Sequence, residues 1–185
     1  MAYSVGFGPL ARADAHVLIL GTLPGAESLR QGRYYAKPQN SFWRIMGALT
    51  GASPDLAYEE RLEWLIDHRI ALWDVCEAAE RLGSLDSAIK SPKPNDFAPF
   101  FAAHKAIELI CFNGQPAGKL FERLVRPVMP DRVAQLPRAI LPSTSPAHAG
   151  MKFEEKLARW RAALSGIIET PLESGRQDER PPSLP

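Results

Sequence analysis

Residues 32–43 read Gly-Arg-Tyr-Tyr-Ala-Lys-Pro-Gln-Asn-Ser-Phe-Trp, which sets aromatic rings, cations and side-chain amides together just ahead of an apolar stretch. Rings stack on nucleobases and amides hydrogen-bond their edges, so this mixture suits a pocket for a base taken out of its stack. The same residues have a plainer reading, with Phe42 and Trp43 as core side chains and Asn40 as a helix cap. An amide such as Asn40 does not titrate near neutral pH. It can orient a water through its carbonyl oxygen or donate its NH2 group. Two further segments have backbone suited to a close ligand. One is Gly21-Thr22-Leu23-Pro24-Gly25, directly after an apolar run, and the other is the Pro-, Ser- and Thr-rich stretch 142–148. Gly, Pro and Ser turns of this kind let main-chain amides approach a ligand, although the first segment also reads as an ordinary strand-to-helix turn.

Several chemistries are missing from the sequence. No His, Cys, Asp and Glu cluster has zinc spacing, and no His-x-Glu with a following Cys-x-x-Cys marks a deaminase. There is no phosphate-binding P-loop and no dinucleotide fingerprint. The expectation is no metal and no cofactor. Cys76 and Cys111 each sit in an apolar run, as buried thiols of a reducing compartment do. The net charge of +1 argues against extended wrapping of nucleic acid but permits a few phosphate contacts. No run is long enough to span a bilayer and no signal peptide opens the chain, so no membrane partner and a cytoplasmic location are expected.

The elements that must hold these residues alternate in type. Short apolar runs at His16–Leu20, Ile70–Cys76, Ile107–Phe112 and Arg138–Leu141 read as strands. Helical spacing marks Ser41–Leu49, Leu56–Ile66, Asp96–Ala103, Pro116–Leu124 and Phe153–Ile168, the last with Phe153, Leu157, Trp160 and Leu164 on one face. This order predicts an α/β fold, a three-layer α/β/α sandwich around a central, mainly parallel four-stranded sheet. Ligands of such sheets bind beyond the carboxyl ends of the strands. Those ends fall at Gly21–Gly25, after Cys76, at Asn113-Gly114 and at 142–150. One domain over residues 1–169 is expected. The polar, proline-rich stretch 170–185 reads as a disordered tail.

The ordered motifs carry a resemblance. Gly-Thr-Leu-Pro-Gly at 21–25 followed by the 32–43 segment resembles the first active-site region of the uracil-DNA glycosylase superfamily. Within it the likeness is to the mismatch-specific uracil and thymine glycosylases, and more so to the hypoxanthine-DNA glycosylase branch. Leu-Pro-Ser-Thr-Ser-Pro-Ala-His-Ala at 141–149 resembles the second motif, and Gly83-Ser84-Leu85-Asp86-Ser87 resembles a further segment of that branch. The likeness covers roughly residues 15 to 165.

The resemblance implies a DNA glycosylase acting as a monomer on DNA that contains deaminated bases. It implies a catalytic Asn40 and a base site of Gly21, Thr22, Leu23, Pro24, Gly25, Tyr35, Phe42 and Asn113. Phe42 is the expected stacking ring. Asn113 either reads the base edge or is simply the turn residue before Gly114. DNA contacts are expected from Ser143, Thr144, Ser145 and His148, with His148 equally readable as a plain surface residue. Lys90–Pro94 reads as a phosphate contact or as an exposed linker. Leu23 stands where most of the superfamily carries an Asp or Asn, and Leu141 where efficient uracil enzymes carry a His. No lysine is placed as a Schiff-base nucleophile, so the expected enzyme is monofunctional and leaves an abasic site. Alternatives are a glycosylase for mismatched uracil or thymine, and a non-cleaving module that binds damaged DNA.

Overall fold

The computed structural model describes residues 3–168, apart from 54 and 82. The expected tail at 170–185 lies outside the described residues. Among the described residues seven strands occur, in two sheets. In chain order they are β1 (Tyr3–Val5), β2 (Val17–Gly21), β3 (Ile70–Asp74), β4 (Cys76–Glu80), β5 (Lys90–Pro94), β6 (Leu109–Asn113) and β7 (Arg138–Leu141). The α-helices are α1 (Ala26–Gln31), α2 (Phe42–Thr50), α3 (Tyr58–Asp67), α4 (Phe97–Ala103), α5 (Gln115–Leu124), α6 (Asp131–Ala134) and α7 (Phe153–Leu164).

The central sheet has the order β3-β2-β6-β7, and every pair in it is parallel. Its inner strands are continuous apolar runs because both faces are covered. Successive side chains of a strand point to opposite faces, and the packing divides accordingly. Leu18 and Leu20 of β2, Ala71 and Trp73 of β3, and Ile110 and Phe112 of β6 join Phe97, Phe100 and Phe101 of α4 and Phe121 of α5. Val17 and Ile19, Ile70 and Leu72, and Leu109 and Cys111 pack with Phe42, Ile45 and Met46 of α2, Leu65 of α3 and Trp160 of α7. These two cores make the α/β/α sandwich.

Helix ends are set locally. The backbone N–H of Ala57 donates to Glu60 at 2.7 Å, which fastens the start of α3, and the Asp96 carboxylate accepts from the Ala98 N–H at the start of α4. The chain leaves α2 through Gly51 in the left-handed region.

The second sheet, β1-β4-β5, is antiparallel and has no counterpart in the sequence reading. The expected strand Ile70–Cys76 changes sheets at Val75, whose N–H still donates to the Gly21 carbonyl, and continues as β4. Lys90–Pro94, read as a linker or phosphate contact, is strand β5 beside β4. Its two prolines are tolerated because it lies at the edge of the sheet. Lys93 pairs with Glu77 of β4 at 2.8 Å. Helix α7 ends at Leu164, four residues before the expected Ile168, where the chain turns through Gly166. Among the described residues no helix is long and apolar enough to cross a membrane.

Trp160 of α7 has no exposed surface, and its indole N–H donates to the Pro142 carbonyl at 3.0 Å, joining this helix to the turn after β7. Trp160→Ala is expected to lower stability by about 3–5 kcal/mol, the usual range for deleting a buried aromatic ring. Urea unfolding of the variant against wild type measures it.

Candidate active site

All four parallel strands end on one edge of the central sheet, at Gly21, Asp74, Asn113 and Leu141. The chain passes from β2 to β3 on one side and later returns to β6 on the other, so β2 marks a topological switch point. A cavity of about 420 Å³ opens there, within the range of small-ligand clefts. Its walls are the turn 21–25, Tyr35 and Asn40, Asp74 at the end of β3, Ser84–Asp86, Asn113, and the turn 143–147. Asn40 and Ser143, more than a hundred residues apart in sequence, therefore line one space.

A hydrogen-bonded clasp holds three of these segments together. The Asn113 amide donates to the Thr144 hydroxyl at 2.8 Å and to the Tyr35 hydroxyl at 3.0 Å, and its oxygen accepts from the Thr144 N–H at 2.9 Å. The Thr144 carbonyl in turn accepts from the N–H of Ser41 at 3.0 Å and from its hydroxyl at 3.2 Å. The main-chain donor at Thr144 fixes which end of the Asn113 amide is oxygen. Gly114 admits this close approach, because its φ is +100° and a Cβ there would lie 3.1 Å from that of Ser143.

The clasp corrects two expectations. Asn113 lines the cavity, but both of its amide protons are committed within the protein, so it is an internal tie with no donor left for a base edge. Thr144, expected at a DNA contact, is 1% exposed and has its hydroxyl, N–H and carbonyl all engaged in the clasp. Its neighbours Ser143 and Ser145 are half-buried and line the cavity. His148 is exposed and lies in an adjoining depression with Met151 and Arg159 rather than in the cavity. Lys156, buried at the start of α7, donates to the His148 carbonyl at 2.8 Å and holds that loop down.

Phe42 is also corrected. It has no exposed surface and is absent from the cavity wall. In the first turn of α2 it faces the core and meets Trp160 edge-on, and Tyr35 covers it with ring centroids 3.9 Å apart and planes 19° from parallel. Of the rings in this motif, Tyr34 and Tyr35 line the cavity and Phe42 does not. Tyr35 has a φ of +52°, a conformation rare outside glycine and one that clusters at functional sites. The stack on Phe42 and the bond from Asn113 hold it there. Burial and the nearby Asp74 raise its pKa, so its hydroxyl stays protonated.

Asn40 lines the cavity, and its side-chain oxygen accepts from the Phe42 N–H at 3.0 Å. That bond fixes the amide while leaving its NH2 group and a second oxygen lone pair. Thr22, Leu23, Pro24 and Gly25 line the cavity, with Leu23 packed against Cys76 and Ala79. Among the described residues no hydrogen bond engages the backbone N–H of Leu23 or Gly25.

A layer of charged side chains under this turn was not legible as such in the sequence. Arg81, 4% exposed, donates to the carbonyls of Leu23 and Pro24 and lies 4.0 Å from Asp86. Asp86 accepts from the Thr22 hydroxyl at 2.5 Å, and Ser84 accepts from the Ala26 N–H at 3.0 Å. Asp74 sits beside Gly21, where any Cβ would collide with its carboxyl. Burial first, and then the like charge of Asp86, push the Asp74 pKa up to about 7 against the opposing pull of Arg81. The legible signal for Asp74 was an acid inside the apolar run Ile70–Cys76. For Asp86 it was the Gly83–Ser87 segment.

The chain belongs to the Uracil DNA glycosylase superfamily, which matches residues 7–165. It is thereby a DNA glycosylase, a hydrolase of the bond between base and deoxyribose. Over 122 residues, 65% of this chain and 77% of the relative, it is 43% identical to a Methanosarcina acetivorans protein named hypoxanthine DNA glycosylase. A protein of that name from Methanosarcina barkeri is 38% identical over the same shares. The fold superposes with a TM-score of 0.76 and 36% identity on the NMR solution structure of a candidate uracil DNA glycosylase from Methanosarcina acetivorans, covering 90% of this chain and 99% of that one.

Two outcomes test the site. Thr144→Val keeps the shape but leaves a buried Asn113 proton without its acceptor, and is expected to cost about 1–3 kcal/mol in urea unfolding. The raised pKa of Asp74 makes its contribution to stability complete below about pH 4 and lost as pH rises through about 7. Thermal melts of Asp74→Asn and wild type are therefore expected to diverge between those limits, with the variant relatively more stable at the higher pH.

Proposed function

We propose that this chain excises hypoxanthine from DNA by hydrolysing its N-glycosidic bond, leaving an abasic site and an uncut strand. The observation that carries this reading is the pairing of 43% identity to a hypoxanthine DNA glycosylase with one cavity that holds Asn40, Tyr35 and the 21–25 turn. Extruding a base from the duplex costs a few kcal/mol, least at a mispair, which favours deaminated bases. The Tyr35 ring recovers part of that by stacking, worth roughly 1–3 kcal/mol. Asn40, its amide already fixed by the Phe42 N–H, orients water toward the sugar C1′ as positive charge builds there. The free N–H groups of Leu23 and Gly25 are available to the lactam oxygen of hypoxanthine as the base gains electrons. Adenine carries an amine at that position and leaves such donors unpaired, which gives discrimination.

The half-buried Ser143 and Ser145 hold phosphates beside the extruded nucleotide, acting on DNA as a monomer in the cytoplasm. Uracil shares the lactam group, and the superfamily match together with the candidate uracil DNA glycosylase fold favours it as a second substrate. Leu23 supplies no group to activate water, which leaves that role to Asn40.

A panel of duplexes, each with a single hypoxanthine, uracil, xanthine or mispaired thymine, tests the reading under single-turnover conditions. Hypoxanthine is expected to be released fastest. Asn40→Ala is expected to lose about 10²-fold or more in rate while still binding a duplex with an abasic-site analogue. A wild-type protein that releases no base from any duplex would show the non-cleaving module to be right.

A further inference from the structure

Asp74 takes no part in the reaction described above, yet it ends β3 where the cavity opens and is 4% exposed. Its backbone carbonyl is taken by the Asn95 amide at 2.8 Å, but its side-chain Oδ2 is buried with no hydrogen-bond partner. The carboxyl lies over the bare Cα of Gly21, and the Tyr35 hydroxyl flanks the same point, 3.4 Å from where a Cβ would stand. A buried carboxyl oxygen without a hydrogen-bond partner disfavours the charged form and favours the protonated one.

The charged and titratable groups around it leave it able to hold a proton. Asp86, from the segment under the 21–25 turn, presents a like charge. Arg81 presents the opposite charge, with its two terminal nitrogens donating to the Leu23 and Pro24 carbonyls and its Nε buried without a partner. Tyr34, Tyr35 and Cys76 are held neutral by burial. Glu27 and Lys37 also line the cavity. The result is a carboxyl whose pKa is raised to about 7, near the pH at which an acid catalyst works best.

We propose that Asp74 is the general acid of purine excision, handing a proton to a ring nitrogen of the departing base. This rests on the glycosylase reading above and adds a second catalytic group to it. A purine leaving through N9 takes the bonding electron pair and departs as an anion unless it is protonated at N7 or N3. In the step, the C1′–N9 bond breaks and its electrons pass into the base. The Asp74 O–H bond breaks, its proton forms the new N–H bond, and the base leaves neutral. The water held by Asn40 forms the C1′–O bond, and its surplus proton restores the carboxyl through solvent. One water is consumed and nothing is oxidised or reduced.

The test is single-turnover release of hypoxanthine between pH 5.5 and 9 by wild type and Asp74→Asn. Wild type is expected to slow as pH rises through about 7, tenfold per pH unit beyond it, because only the protonated acid is active. Asp74→Asn is expected to be about 10²–10⁴-fold slower at pH 6, to lack that limb, and to bind an abasic-site duplex as wild type does. Substrates bearing 7-deaza- or 3-deazahypoxanthine locate the accepting nitrogen. The analogue without it is expected to slow wild type but to leave Asp74→Asn unchanged.

A flat wild-type profile, which needs no substitution to measure, would overturn the assignment. So would an Asn variant as fast as wild type, or both analogues preserving the full difference between the two proteins. Wild type inactive on every duplex would instead end the glycosylase reading and this proposal together.

Discussion

The cavity exists because one amide, that of Asn113, is shared between the two motifs that wall it. It reaches Tyr35 on one side and Thr144 on the other, and Thr144 passes the link to Ser41 at the head of α2. Buried polar groups in such a network are stabilising only when every member is satisfied, so the clasp specifies one arrangement of the loops rather than several. It also explains a residue in an unfavourable backbone region. Tyr35, at φ +52°, is held there by Phe42 beneath it and Asn113 beside it. The strain sits where the ring must face the cavity and is offset by the core on which it rests.

Beneath the 21–25 turn lies a second constraint of a different kind. Arg81, Asp86 and Asp74 are charged side chains taken largely out of water, an arrangement that is expensive unless each charge is partnered. Arg81 reaches the Leu23 and Pro24 carbonyls with its two terminal nitrogens, leaving its Nε unpartnered, and Asp86 accepts from the Thr22 hydroxyl, so that the two fix the turn. Asp74 keeps an Oδ2 without a partner, and burial pushes its pKa up to about 7. The antiparallel sheet β1-β4-β5 is what brings these groups there, since Arg81 directly follows β4 and Asp86 precedes β5. A small sheet appended to the sandwich thus serves the site rather than the core.

Much of the fold could be read directly. The four apolar runs became the four parallel strands because burial on both faces leaves no polar alternation, and Gly21 and Gly114 marked their ends. The helices at 42–50, 58–67 and 153–164 followed from their spacing. Strands β4 and β5 were not legible. Cys76–Glu80 is small and mixed, and Lys90–Pro94 has the composition of a linker, so each is a strand only because the other supplies its hydrogen bonds. The cavity-lining turns were located correctly by their position after strand ends, while the roles of Phe42, Thr144 and Asn113 were not. Phe42 and Tyr35 are both aromatics of one motif, and which of them faces inward depends on how α2 docks against Trp160.

The sequence by itself determined the layered architecture, the edge of the sheet where the cavity opens, and the two motifs that belong to a glycosylase, because periodicity, turn chemistry and residue order are local properties of the chain. Only the tertiary structure decided which side chains in those motifs are free to act. Hydrogen-bond capacity and charge state are set by partners far away in sequence. Asn113 is spent on Thr144 and Tyr35, and Asp74 is left without a partner next to Asp86.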